Sequence, residues 1–365
     1  ACSPGCISAC TGPWKIKGTE TPLAKRYAGE VGFKPEYGAV ASWGICCDIP
    51  DWPTVVHLWE ACRRHGMDTN EIGAISGLLM ELWQRGIVTP EDATEWFGEP
   101  VSLEWGNVEA LEKIIESIGT QKNKLGQMFR EGLYRGAQQL AQMKETPVLK
   151  YALYGKGGAA FIEDIRNTVS WAVNFAVSSR GCDHLKGIGT LDKLNRPDIA
   201  TMLFGRTDVC EPFTTTLKGA SSAVAENWNG VVNSVGLCAF LVSTDPASCN
   251  ADILARLLTT ATGDTFTGKD LWVAGERAVN LEKAFNSRLG LRRQDDTICD
   301  RWMKEPMVDG PTKGWKAEDY LAASMDEYYQ WHGWDKETSL QTKKKLDELD
   351  MKDVAKVLKK EDALA

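Results

Sequence analysis

The chain has 365 residues, 43% of them hydrophobic and 25% charged, with a net charge of −8. This length and balance fit a globular protein of two or more domains; the negative charge argues against a general nucleic-acid binder, and no apolar run reaches the roughly 20 residues that span a bilayer. No signal peptide is visible, and an odd count of eleven cysteines fits reduced thiols in a cytoplasm better than a secreted disulfide framework.

Residues 1–50 are rich in Gly, Pro and Cys and read as irregular loop. Helical spacing follows. Residues 54–64 start after Pro53 and carry Val55, Leu58, Trp59 and Cys62 on one stripe. Residues 71–85 place Ile72, Ile75, Leu79 and Leu82 inward, with Gly86 as a stop. Residues 108–118 end at Gly119, and 129–143 end at the Thr146-Pro147 step. Gly155, Gly157 and Gly158 mark residues 150–170 as a loop entering a helix. Residues 169–179 form the next helix, 219–242 a helix–loop–helix around Cys238, and 271–286 a further helix. The last ~45 residues read as helical with a lysine-rich solvated face. Few stretches alternate with period 2, so the fold is mainly α, divided into residues 1–155 and 156–365. The fourteen tryptophans read as core packing rather than as walls of a cofactor pocket.

Cys2, Cys6 and Cys10 lie four apart within the first ten residues, and Cys238 lies far downstream. Three clustered thiolates and a remote fourth suit the corners of a [4Fe–4S] cube, with Pro4 and Gly5 letting the loop wrap it. The alternatives are a zinc site, although zinc favours paired cysteines and no second pair is evident, or a reactive-thiol cluster. Cys46, Cys47, Cys62, Cys182, Cys210, Cys249 and Cys299 read as small buried apolar residues. A domain rarely begins inside a cofactor motif, so a further N-terminal piece, cleaved, separate or missing, is expected.

The run Ser178-Ser-Arg-Gly-Cys-Asp-His184 places Arg180, Gly181 and His184 in one flexible loop. Arg180 suits a phosphate or pterin-type anion. His184 suits proton exchange near neutral pH, against the alternative of a structural hydrogen bond. Of the other three histidines, His57 falls in a helix, and His65 and His332 read as surface or turn positions. Asp68 or Thr69 caps a helix and can also accept from the ring N–H groups of a heterocycle; the same two options hold for Asn233 ahead of Leu237-Cys238.

At these residues the chain resembles the aldehyde:ferredoxin oxidoreductase family of tungsten- or molybdenum-pterin enzymes. Asn233-Ser-Val-Gly-Leu-Cys238 is similar to the family's Asp-x-x-Gly-Leu-Cys, and Arg63-Arg-His-Gly-Met-Asp68 to its Asp-x-x-Gly-Leu-Asp. Gly275-Glu-Arg-Ala-Val-Asn-Leu-Glu-Lys-Ala-Phe-Asn286 is similar to the family's Gly-Glu-Arg…Asn-Leu-Glu-Arg-Ala-Phe-Asn run, and Ser179-Arg-Gly-Cys-Asp-His-Leu185 to its Arg-Gly-(small)-x-His-Leu loop. The resemblance runs from Cys2 to about Val354. Arg63 and Asn233 stand where the family has Asp, and the first cysteine spacing is one residue longer than in its best-known members.

The resemblance implies two helical domains, without the family's N-terminal β-rich domain on which the pterins rest. It implies a [4Fe–4S] cluster on Cys2, Cys6, Cys10 and Cys238. It also implies a tungsten or molybdenum bis-pterin contacted by Asp68, Thr69, Arg180, Gly181, Asn233 and Leu237, with magnesium bridging the pterin phosphates. A Glu and a His flank the metal in the family; here His184 fills the His role and Glu36, in Pro35-Glu36-Tyr37, the Glu role, although the segment's second Glu is Gly38. For Glu36 the alternative is a solvated loop carboxylate. The implied activity is oxidation of an aldehyde to a carboxylic acid, with electrons leaving through the cluster to a ferredoxin-like carrier. Family branches that reduce an aromatic acyl thioester give a related option. Other classes are an electron-transfer or scaffold subunit that keeps only the cluster, associating with a separate N-terminal domain or iron–sulfur subunits, and a zinc-stabilised helical protein.

Overall fold

A computed structural model describes residues 6, 10, 12–242 and 250–365. Helix dominates, and the chain divides into two units: residues 1–163 with 299–301, and residues 164–298 with 302–365. Among the described residues no helix is long and apolar enough to cross a membrane.

The first unit opens with an antiparallel pair, β1 (Pro13–Lys15) and β2 (Val31–Phe33), with Trp14 opposite Gly32. A helical turn, Tyr37–Ala39, runs into the π-helix Val40–Ile45. These elements replace much of the irregular loop expected over residues 1–50. Helix α1 (Trp52–Arg64) starts where Asp51 accepts from Thr54 N at 2.8 Å and Pro53 occupies the first turn. Helix α2 (Thr69–Gln84) runs through the core, with Ile75, Leu79 and Leu82 wholly buried. A capping box of Thr89 and Asp92 begins α3 (Pro90–Phe97). Helix α4 (Val108–Thr120) follows the expected spacing.

The helix expected over residues 129–143 starts later, as α6 (Leu133–Lys144), and a separate short helix, α5 (Lys124–Phe129), precedes it. Gly132 divides them: its φ of +87° leaves the right-handed helical region. The glycine-rich stretch beyond is a hairpin, β3 (Tyr154–Gly155) with β4 (Gly158–Ala159). One side chain ties these pieces to α2: the Glu71 carboxylate accepts from Leu133 N at 2.5 Å and from Ala159 N at 2.9 Å.

Two glycines one turn apart let the π-helix lie on α2. A Cβ at Gly73 would sit 2.5 Å from Ser42 Cβ, and one at Gly77 would sit 2.4 Å from Cys46 Sγ.

The second unit contains α7 (Val169–Val177), α8 (Pro197–Phe204), α9 (Lys218–Ser234), α10 (Ala251–Thr262), α11 (Gly268–Arg288), α12 (Leu321–His332), α13 (Lys343–Glu348) and α14 (Lys352–Lys360). Helix α9 is its axle and packs on α7, α11 and α12. It meets α11 backbone to backbone: a Cβ at Gly275 would fall 2.3 Å from Asn227 O.

Burying α9 on several sides also buries polar groups, and Lys218 and Glu226 among them are partnered. Lys218, wholly buried, donates to Val209 O at 2.8 Å and Glu211 O at 2.6 Å and lies 3.5 Å from Asp192. Tyr328 donates to Glu226, whose carboxylate also lies 3.4 Å from His332 Nε2. His332, expected at the surface or in a turn, is instead 1% exposed and stacked on Trp334. It ends α12 on the inner side, so its apolar ring faces outweigh its polar edge. Cys47, Cys62, Cys182, Cys210 and Cys299 are buried as expected; Cys46 is half-buried, and Cys249 lies outside the described residues.

Candidate cofactor and catalytic residues

The same turn is built once in each unit. In the first, α1 ends at Gly66, whose φ is +69°; Met67 N donates to Cys62 O at 3.0 Å and Gly66 N to Arg63 O at 3.0 Å. In the second, α9 ends at Gly236, whose φ is +74°; Leu237 N donates to Val232 O at 3.0 Å and Gly236 N to Asn233 O at 3.2 Å. Each glycine takes the left-handed conformation that closes a helix, and the next residue but one starts another helical segment. That residue is Asp68 in one turn and Cys238 in the other. The motif's leading residue enters the turn only through its backbone oxygen, which explains how Arg63 and Asn233 can both occupy it. The Arg63 side chain turns to Glu60, at 3.1 Å.

In the first unit, exposed Asp68 accepts from Asn70 N at 2.7 Å and Glu71 N at 3.2 Å, capping α2. Thr69 accepts from the Trp43 indole at 2.8 Å. Asp68 and Met67 line a cavity of about 260 Å³ together with His65, Arg130 and Gly132. Glu36, exposed, precedes the turn Tyr37–Ala39 without capping it. That turn packs on the start of α2, so the segments bearing Glu36 and Thr69 are neighbours. Gly38 is buried there: a Cβ would lie 3.0 Å from Asn70 Oδ1 and 3.1 Å from Phe161, so a side chain at this position would have to push those two aside.

In the second unit, the loop after α7 holds Arg180, Gly181 and His184. Gly181 has a φ of +134° with open space beside it. Arg180, exposed, donates through Nε to Asp183 at 2.7 Å. Asp183 also accepts from Leu185 N at 2.7 Å. His184 is 3% exposed and stacked on Trp171, with ring centroids 4.2 Å apart. Burial pushes its pKa down to about 4, and the Lys193 and Arg180 charges add to this against the opposing pull of Asp183. The ring is therefore neutral at pH 7. Asn233, Leu237 and Cys238 are exposed at the end of α9; one turn earlier, Asn229 donates to Leu185 O at 2.8 Å, so this face of α9 meets the His184 loop.

Sequence reasoning missed what holds that loop. Glu282 accepts from Ser179 Oγ at 2.5 Å and Lys186 Nζ at 2.6 Å, and Asn286 donates to Ser179 O at 2.6 Å. Their signal was present: residues 282 and 286 are one helical turn apart in the Asn-Leu-Glu…Asn run of α11.

Of the expected cluster ligands, Cys6 is partly buried, Cys10 and Cys238 are exposed, and none of the three is in a disulfide; Cys2 lies outside the described residues. Among the described residues, no group of three or more His, Cys, Asp or Glu side chains closes into a metal site. The donors nevertheless fit the expected group by type, since accessible unpaired thiols are what iron–sulfur ligation needs.

Residues 1–351 match the family described as aldehyde ferredoxin oxidoreductase, domains 2 and 3. The chain belongs to the aldehyde ferredoxin oxidoreductase family. It is 28% identical over 317 residues to the tungsten-containing aldehyde ferredoxin oxidoreductase of Pyrococcus furiosus, covering 86% of this chain and 48% of that protein. Over 160 residues it is 32% identical to the aliphatic sulfonate oxidoreductase, WOR-like subunit, of the same organism, covering 43% of this chain and 24% of that subunit. The chain thus spans about half the length of the tungsten-containing aldehyde ferredoxin oxidoreductases it matches. Its fold is shared with a chain of the active-site complex BamBC of benzoyl coenzyme A reductase in complex with 1,5-dienoyl-CoA, at a TM-score of 0.70 and 16% identity over 91% of this chain and 51% of that one. The family and this likeness agree with the mainly α architecture.

Proposed function

We propose that this chain carries cofactor-binding and catalytic parts of a tungsten- or molybdenum-pterin oxidoreductase. It would convert an aldehyde to a carboxylic acid and pass electrons to a ferredoxin-like carrier. The observation that carries this reading is the turn built twice, presenting Asp68 in one unit and Cys238 in the other. Cys238, with Cys2, Cys6 and Cys10, would hold a [4Fe–4S] cluster. Asp68, Thr69, Arg180, Gly181, Asn233 and Leu237 would contact the pterins. When bound, the metal–pterin group supplies two-electron acceptance and the cluster one-electron transfer.

The chain's own groups would do the rest. Thr69 accepts from Trp43, which fixes its hydroxyl at the first turn of α2. Neutral His184 donates one proton and accepts another, which suits holding a carbonyl oxygen without adding charge. Its stack on Trp171 keeps water from one ring face. Glu36 is the exposed carboxylate available to take a proton.

A second reading is favoured by position 38, where a buried glycine packed near Asn70 and Phe161 stands in place of the segment's second carboxylate. In it the chain keeps the cluster and serves electron transfer only. Elemental and pterin analysis of anaerobically purified protein separates the two. About four irons with one tungsten or molybdenum and two pterins, together with aldehyde-dependent reduction of a viologen dye, support the first. Iron alone leaves the second, and zinc without iron excludes both.

A further inference from the structure

The second unit contains a chamber of about 490 Å³ between α8, α9, α10 and the start of α11. Its volume falls within the range of small-molecule sites. Its lining is mostly hydrocarbon and indole. Trp228 of α9 and Trp272 of α11 face each other at 5.9 Å with their planes tilted by 45°, and Leu194, Met202 and Val224 complete the apolar wall. The two indoles pack on each other, and with the aliphatic side chains they give the chamber one continuous apolar wall.

Charge decides what enters. Three charged residues line the chamber: Arg196, Asp198 and Asp252. The Arg196 guanidinium is already held by Asp198, through Nε at 2.8 Å and a terminal nitrogen at 2.6 Å. The lining therefore has a formal charge of −1, and its cation is compensated. A carboxylate placed against this wall would lose its hydration with no uncompensated cation in the lining to offset that cost.

We propose that this chamber binds small neutral aromatic or aliphatic molecules and rejects their carboxylates. The binding is a property of these walls and needs no cofactor. On the reading that the chain oxidises aldehydes, the same preference would admit the neutral reactant and shed the acidic product, since the two differ by this charge.

The test is ¹⁹F NMR relaxation on the full chain with 4-fluorobenzyl alcohol, 4-fluorobenzoate and 4-fluorobenzylammonium as probes. The alcohol should bind at least about tenfold more tightly than the benzoate. Two variants locate the site. Val224→Phe fills the chamber from a partly exposed position, and Met202→Glu places a charge at its rim on a residue that is 74% exposed, where the fold tolerates it. Each should weaken alcohol binding by about tenfold or more. Undiminished binding in both variants places the probe elsewhere and overturns the proposal. So do benzoate binding as tight as the alcohol's, tighter ammonium binding, or no alcohol binding at all. Loss of metal or pterin leaves these results unchanged, so the outcome is independent of the redox reading.

Discussion

The imidazole of His184 lies face to face with the indole of Trp171, 12° from parallel. This contact keeps the ring dry and therefore neutral. The folded-state pKa, about 4, lies below the ordinary histidine value of 6.5. Unfolding takes up a proton between those values, so stability should fall as pH drops from about 6.5 to about 4, by at most about 3 kcal/mol. Urea denaturation at pH 7 and pH 4.5 reads this slope. His184→Gln should remove it; an unchanged slope would assign the acid sensitivity to other groups.

His57 behaves in the opposite sense. Burial pulls its pKa down, but hydrogen bonds with Glu112 and Glu30 outweigh this and raise it. Both ring nitrogens face carboxylates, Nδ1 at 3.0 Å from Glu30 and Nε2 at 3.4 Å from Glu112. The raised pKa contributes stability that is fully present below the unfolded value and is lost as pH rises through the folded one. His57→Gln should therefore destabilise the protein more at pH 5.5 than at pH 8.5. Equal losses at the two pH values would rule out protonation as the source.

The contact between α2 and the π-helix leaves no space at Gly77. Gly77→Ala should cost about 1–3 kcal/mol by overpacking against Cys46. Cys46→Ala in the same chain should restore most of that loss, because it removes the Sγ that the new methyl meets. A double-mutant cycle from denaturation midpoints measures the coupling; strict additivity would show that the strain falls elsewhere.

Glu282 braces the loop that carries His184. Glu282→Gln keeps the shape and removes the charge, and should cost about 1 kcal/mol in stability, since the carboxylate is partly solvated. Hydrogen exchange should quicken in residues 179–187 but not in α9. Uniform acceleration across the unit would mean that Glu282 supports the fold generally rather than this loop.

Much of the helical framework was legible because its stripes repeat at helical spacing and its ends carry explicit signals. Pro53 marks the start of α1, and Gly86 stops α2. What the sequence hid was tertiary. The start of α6 at Leu133 is joined to Glu71, 62 residues earlier, through Leu133 N, and no local window contains both. The inward turn of His332 depends on Trp334 and Tyr328 closing around it. At the candidate site, the motifs named exposed Asp68, Arg180, Asn233 and Cys238 and buried His184 alike, whereas the brace of Glu282 and Asn286 joins α11 to a loop a hundred residues earlier.

The pair of turns closing at Gly66 and Gly236 separates scaffold from chemistry. The backbone bonds that close each turn do not depend on which side chain follows, so a carboxylate and a thiol are presented by one and the same mount. On the proposed function, the choice between gripping a heterocycle and gripping iron would then be made at a single interchangeable residue, leaving the architecture beneath it undisturbed.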